Sequence, residues 1–270
     1  MIDFNICTTQ VYHKWGLIKV EWDPVLYNEF KRERFLPVAD LINLLNIKEN
    51  ISGVDLGCGT GEIAAKLVDL LPDSHVLGID SSSDMIAEAN KNTNRRLSFE
   101  LKSIEAISGK WDLVFSNAAI QWVENHDKLI KKLFTLLNPG GQLLLQIPTG
   151  NIAIDLIREV AKEEPFNSLL DSWTYNSPVL TIDKYSQLLF ELDSENIVVF
   201  EKVYPSTFAD IDSIVSWVKG TAVLPYFERL PLDKQRDFIN RYHEKIEQLF
   251  TTKPIFFPFK RIIISATSKL

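Results

Sequence analysis

Three glycines at alternate positions, Gly57, Gly59 and Gly61, close the run VDLGCGTG and open the helix-like EIAAKL, with Asp55 just ahead of them. Glycine lets a chain turn sharply and lets a ligand approach the backbone with no side chain between. A second acid, Asp80, ends the next apolar run, HVLGID, nineteen residues after Gly61. A carboxylate at the tip of a neighbouring strand is placed to accept both hydroxyls of a ribose. Two phosphate-binding patterns fail. The position five after Gly57 is Glu62 rather than the third glycine of a dinucleotide turn, and no Gly-Lys-Ser/Thr follows. With no anion-binding lysine near the turn, the predicted ligand is a nucleoside lacking a pyrophosphate.

The elements that must position these residues are legible from periodicity. Residues 22–46 alternate apolar and charged positions at helical spacing, with Asp23 as N-cap and Pro24 at the first helical position, so a helix precedes the first strand. Short β-rich runs at 51–56, 75–80, 97–101, 111–116 and 141–147 alternate with helical patterns at 61–71, 83–91 and 126–137. That alternation predicts βαβ units and a parallel sheet with helices on both faces. After Pro148 come helices over 151–163 and 181–190, a strand over 196–204, helices over 210–220 and 231–250, and a closing strand over 261–267. A helical block between the last two strands would lie above the sheet as a cap.

At 270 residues the chain is near the upper limit for one core, so one large domain with an inserted or appended subdomain is expected. Hydrophobic residues at 46% and charged residues at 24% place it among globular proteins able to bury that core. The formal net charge of -7, without clustered Lys/Arg, argues against a nucleic-acid partner. Lys31-Arg32 and Lys131-Lys132 read as solvated helix faces. Cys7 and Cys58 form no C-x-x-C pair and have no clustered histidines, so neither a metal site nor a disulfide framework is expected. The opening MIDFNICTTQVYHKWG has no basic n-region, and no apolar run reaches the roughly 18 residues that span a bilayer, so the expectation is a cytoplasmic protein with no membrane partner.

VDLGCGTG together with GIDSS resembles the class I S-adenosylmethionine-dependent methyltransferases. The resemblance implies a Rossmann-like seven-stranded, mostly parallel sheet with its last strand antiparallel, helices on both faces, and S-adenosylmethionine bound outside the carboxyl ends of the first strands. By that likeness Gly57, Gly59 and Gly61 pass under the methionine portion, Asp55 and Ser81 belong to the cofactor site, Asp80 holds the ribose and Met85 lies near the adenine. Ser103 stands where many such enzymes have an Asp that accepts from the adenine amino group. The Ser103 hydroxyl, the Ile104 backbone or Glu105 would take that role.

A closer likeness runs through WDPVLYNEFKRER (22–34), NAAIQWVENH (117–126), LLNPGGQLLLQIP (136–148), WVKGTAVLPYFERL (217–230) and RYHEKIEQLF (241–250). Together they resemble the trans-aconitate methyltransferase family, over nearly the whole chain from Trp22 onward. That family esterifies one carboxylate of a small unsaturated tricarboxylic acid. A carboxylic acid ordinarily loses its proton at a pH of about 4, so at neutral pH the acceptor is already ionised and needs no general base. No catalytic residue is therefore expected, only positioning. Asn117, Gln121 and Trp122, leaving the fourth strand, would line the reaction pocket, and Tyr27 and Arg34 would cover the cofactor. Lys219, Tyr226 and His243 are the substrate-side candidates, with His126 as a further one. The family pattern has arginines where this chain has Leu36 and Leu224, which removes two carboxylate forks; Lys219, Arg229, Arg241 and Arg261 would compensate. Alternatives are a less charged acid, another small-molecule acceptor, or a non-catalytic module that kept only the sheet. The implied organisation is an extension and lid helix at 1–46, a cofactor core at 47–150 and a C-terminal part at 151–270 carrying a substrate cap at about 206–250, in a monomer or homodimer.

Overall fold

The computed structural model describes residues 8–11, 18–21, 31–220 and 222–269, with side chains from residue 36 onward. Near the N-terminus β1 (Thr8–Val11) and β2 (Ile18–Glu21) pair antiparallel as a separate two-stranded ribbon. Helix α1 (Lys31–Ile42) leads to β3 (Ser52–Leu56), α2 (Glu62–Leu70), β4 (His75–Asp80), α3 (Ser83–Ala89), β5 (Leu97–Leu101), β6 (Trp111–Asn117), α4 (His126–Thr135) and β7 (Leu137–Pro148). The predicted cap Asp23 and first turn Pro24 lie outside the described residues.

Seven strands form one sheet in the order β5-β4-β3-β6-β7-β9-β8, where β8 is Glu195–Phe208 and β9 is Ile255–Thr267. The pairs from β5 to β7 are parallel, and β9 is antiparallel to both β7 and β8. This is the Rossmann-like arrangement expected from the sequence. After β3 the chain builds outward through β4 and β5, then returns to place β6 on the other side of β3. The β3/β6 boundary is therefore the topological switch point, outside whose carboxyl ends ligands of such sheets bind.

Side-chain alternation separates the two layers. Leu143, Leu145 and Ile147 of β7 join one buried cluster with α4 and with α7 (Ile182–Glu191), whereas Leu144 joins Phe115, Ile263 and the apolar faces of α1 and α2 on the other side. Helix starts carry the side chains that satisfy free N–H groups: Ser82 accepts from Met85, Asn125 from Lys128 and Thr181 from Lys184.

The last two strands are longer than their apolar runs. β8 and β9 stay paired beyond the point where β7 ends opposite Arg261, out to Phe208 opposite Ile255. Pro205 and Pro258, both within this extension, stand directly opposite each other. Neither has an N–H to give, so a non-hydrogen-bonded pair of the ladder accommodates both. The projecting arm carries Tyr204, Phe208, Phe257 and Phe259 into a third core, completed by α5 (Ile152–Ala161), α6 (Phe166–Leu169), α8 (Ile211–Lys219), α9 (Leu224–Phe227) and α10 (Leu232–Leu249). This cap is aromatic: Phe208 meets Phe257 edge-on at 5.1 Å, and Tyr226 stacks on Phe238 at 5.7 Å. It takes in residues 152–170 as well as the 206–250 stretch. Among the described residues no helix is long and apolar enough to cross a membrane.

Candidate active site

Between the carboxyl ends of the strands and the cap lies a cavity of about 1330 Å³. Its floor begins at the glycine turn, where Gly57, Gly59 and Gly61 all adopt positive φ. The three do different work. A Cβ on Gly57 would fall 2.2 Å from the Ala119 Cβ, and one on Gly61 would fall 2.6 Å from the Phe99 ring, so both are needed for close packing. A Cβ on Gly59 would meet nothing within 4 Å, and its bare backbone borders the cavity.

Asp80 reaches the same place from the tip of β4. Its Oδ2 accepts from the Gly59 N–H at 3.0 Å and its Oδ1 from the Ser82 N–H at 2.8 Å, so backbone donors fix the carboxylate at the cavity edge. Ser81, Met85, Ser103 and Ile104 continue this wall, and Asn117, Gln121 and Trp122 follow from the end of β6. The turn after β6 is pinned from below. His126, buried at the start of α4, faces the Ile120 carbonyl through Nε2 at 2.9 Å and the Tyr185 hydroxyl through Nδ1. Burial lowers its pKa below the ordinary histidine value, favouring a neutral ring with Nε2–H donating to the Ile120 carbonyl. Tyr175 donates its hydroxyl to the Gln121 carbonyl at 3.3 Å, and its ring lies 6.5 Å from that of Trp122, which is half exposed at the rim.

The cap side supplies Lys219, Leu224 and Tyr226, with Arg158 of α5 and Arg261 of β9. Arg158 is oriented by its Nε donating to the Tyr175 carbonyl at 3.2 Å and by Asp155 at 2.8 Å from Nη1. Three carboxamides of the floor are left unsatisfied: Asn117 Oδ1, Gln121 Oε1 and both polar atoms of Gln146 are buried with no partner among the described residues.

The methyltransferase domain family matches residues 47–196. The trans-aconitate 2-methyltransferase of Deinococcus radiodurans is 36% identical over 252 residues, 91% of this chain and 98% of that protein. The chain belongs to the trans-aconitate 2-methyltransferase family. The enzyme of the same name from Variovorax paradoxus is 32% identical, with 93% of this chain and 99% of that one covered. Among solved structures the YcgJ protein of Bacillus subtilis shares the fold at a TM-score of 0.59 and 14% identity, over 87% of this chain and 99% of that one. The phosphoethanolamine N-methyltransferase 2 of Haemonchus contortus, solved with phosphomonomethylethanolamine and S-adenosylhomocysteine, shares it at 0.53 and 14%, over 94% and 63%.

As a member of this family the protein is an S-adenosylmethionine-dependent methyltransferase. The residues present fit that cofactor. Gly59 leaves open space where a side chain would stand, Asp80 presents a fixed carboxylate, and Asn117, whose buried oxygen has no partner among the described residues, lines the same cavity.

Six candidates among the described residues do not line the cavity, Asp55, Gly61 and His243 first among them. Asp55 sits inside β3, 2% exposed, and its Oδ2 has no partner among the described residues. Burial and the nearby Asp80 charge push its pKa up to about 7. Gly61 is occupied by the Phe99 ring, because the turn must let α2 lie close to β5. His243 lies on the outer side of α10, with Nε2 3.1 Å from Asp212 Oδ1, since the inner face of that helix is taken by Phe238, Ile239, Tyr242 and Ile246. His126 is likewise absorbed by packing, and Arg241 is tied to Glu163 at 2.6 Å. Arg229 covers the Trp173 ring at 3.8 Å. Tyr27 lies outside the described residues, as does the Arg34 side chain. Conversely, Arg158, Tyr175 and Gln146 border the cavity without having stood out in the sequence. Arg158 occupies an ordinary amphipathic helix, and Gln146 lies in an apolar strand; a single polar residue in the run LLLQIP was the one available signal.

Proposed function

We propose that the acceptor is a small polycarboxylic acid of the trans-aconitate type and that one of its carboxylates is esterified. The observation that carries this reading is the convergence of Arg158, Lys219 and Arg261, from a helix, a second helix and a strand, on the cavity that holds the glycine turn. The names of the relatives support it. Arginine forks and ammonium groups are the natural partners of carboxylates. Among the described residues Arg158 Nη2 is not engaged by any partner.

When bound, S-adenosylmethionine would supply a methyl on a positively charged sulfur for an acceptor carboxylate oxygen, the electron pair of the sulfur–carbon bond being left on sulfur. No proton moves. The work left to the protein is placement and the exclusion of water. The Gly57 and Gly59 backbone, Asp80, Ser81, Met85, Ser103, Ile104 and Asn117 would hold the cofactor, and the Asp80 carboxylate would accept from the ribose hydroxyls. Gln121, Trp122, Lys219 and Tyr226 form the acceptor side. The neutral His126 and Tyr185 keep the Gln121–Trp122 turn in place. In this reading residues 1–46 form an extension and lid, 47–150 the cofactor core and 151–270 the remaining sheet with its cap, working in the cytoplasm on a small-molecule acid.

Leu224, Val179 and Leu180 line part of the cavity and favour a second reading, an acid with an apolar chain. Incubation with S-adenosylmethionine and a panel containing trans-aconitate, shorter dicarboxylates and medium-chain fatty acids separates the two, with the methyl ester identified by mass spectrometry. The first reading expects trans-aconitate to give the highest kcat/KM. Turnover of fatty acids alone would replace it with the second, and turnover only of amines or phenols would end both.

A further inference from the structure

Gln146 is 1% exposed, lines the cavity, and has neither its Oε1 nor its Nε2 hydrogen-bonded among the described residues. Leaving a buried amide unpaired costs stability, and a leucine would fill such a place in an otherwise apolar strand without that cost. A residue that destabilises the empty protein in this way is accounted for when a ligand completes its hydrogen bonds. We propose that the Gln146 carboxamide receives the carboxylate that accepts the methyl, while the cap cations hold the rest of the acid. The inference rests on the carboxylic-acid reading above.

Position supports it. Gln146 is the strand partner of Asn117, so their side chains leave the same face of the sheet on strands about 4.8 Å apart. The backbone under the pair is rigid, since the Ala118 N–H donates to the Gln146 carbonyl at 3.0 Å. Asp80 and Gln146 end strands separated by three steps in the sheet order, about 14 Å, with the switch point between them. A nucleoside anchored at Asp80 and extending across the switch point would bring its reactive end toward the Asn117–Gln146 pair. Between them the two carboxamides own four N–H bonds and two carbonyls. Asn117 Oδ1 and both polar atoms of Gln146 have no partner among the described residues, so the pair keeps N–H donors unused, the complement of an anion.

Charge explains why an amide serves here better than an arginine. The reacting carboxylate loses its negative charge as it becomes an ester. A guanidinium on that group would stabilise the starting anion more than the transition state and raise the barrier. A neutral N–H orients one oxygen and leaves the other nucleophilic. The carboxylates that do not react keep their charge throughout and are the proper partners of Arg158, Lys219 and Arg261.

The test uses the full-length enzyme with Gln146→Leu and the isosteric Gln146→Glu. Calorimetry with S-adenosylhomocysteine reports the cofactor side, and initial rates of ester formation from trans-aconitate give kcat and KM. The proposal expects kcat/KM to fall about tenfold or more in Gln146→Leu and further in Gln146→Glu, whose charge repels the acceptor, with S-adenosylhomocysteine affinity within about twofold of wild type. Unchanged kinetics in either variant overturns it. So does a loss of S-adenosylhomocysteine affinity in Gln146→Glu as large as the loss of kcat/KM, which would place Gln146 under the cofactor. If Gln146→Leu does not fold, the isosteric variant decides alone. Failure of the carboxylic-acid reading shows itself separately, as a wild-type enzyme that esterifies no acid.

Discussion

The two walls of the cavity are built by different physics. On the floor, backbone groups do the holding: the Asp80 carboxylate is fixed by the N–H groups of Gly59 and Ser82, and Gly57 and Gly61 are places where a single added carbon would collide with Ala119 or Phe99. On the cap, rings do the holding, with Phe166, Tyr226 and Phe238 packed in one cluster and Phe208, Trp217, Phe257 and Phe259 in another. A backbone cradle has few alternatives, because its geometry is set by φ and hydrogen bonds. A packed aromatic cluster tolerates changes that conserve volume, so residues mounted on it can differ between related enzymes. The proposed roles put the cofactor contacts on the backbone-held floor and the charged contacts to the acceptor on the ring-packed cap.

The sharpest way to break that division is to damage the cap core alone. Phe238 is fully buried between Phe166 and Tyr226, and Phe238→Ala is expected to lower unfolding free energy by about 3–5 kcal/mol in urea titrations. It should raise KM for the acid while S-adenosylhomocysteine affinity, measured by calorimetry, stays near wild type. An equal loss of both would mean that the two walls form one cooperative unit.

The reciprocal change is on the floor. Asp80→Ala is expected to weaken S-adenosylhomocysteine binding by about 1.5–3 kcal/mol, through loss of charged hydrogen bonds, with a smaller effect on KM for the acid. Wild-type affinity in that variant would remove Asp80 from the ribose site.

A smaller, pH-dependent effect probes the buried acid beneath the turn. Folding raises the Asp55 pKa from 3.8 to about 7, by burial first and by the Asp80 charge second. Below about pH 4 both folded and unfolded forms carry the proton, and the contribution to stability is fully present. Between about pH 4 and 7 the unfolded chain has released its proton while the folded one retains it, so the contribution falls as pH rises, levelling above 7. Urea unfolding of the ligand-free enzyme at pH 5, 6, 7 and 8 should show the stability of wild type relative to Asp55→Asn declining up to about pH 7. A flat difference would mean that Asp55 ionises as an ordinary carboxylate and that the floor stores no such strain.

The division also marks what could be read in advance. Strand and helix succession from β3 to α4 was legible because each element carries its own periodicity and lies next to its partner in sequence. The turn was legible because three positive-φ positions restrict residue choice to glycine. β8 and β9 extend beyond the 196–204 and 261–267 expected, because the pairing that sets Pro205 opposite Pro258 exists only once both strands are placed together. Arg158 and Arg241 illustrate the limit: both are arginines on amphipathic helices, yet one borders the cavity and the other is held by Glu163, whose pKa it and Lys245 pull down to about 2.

By itself the sequence determined the order of elements and the glycine turn with its acid at the next strand tip, since these depend on local conformation and fixed spacing, and the cofactor class followed from the family resemblance those residues carry. Only the tertiary structure decided which polar side chains are left unpaired inside the cavity and which cations face it. Those properties belong to pairs of residues far apart in the chain, and burial turns a common residue such as Gln146 into an exceptional one only when its neighbours are known.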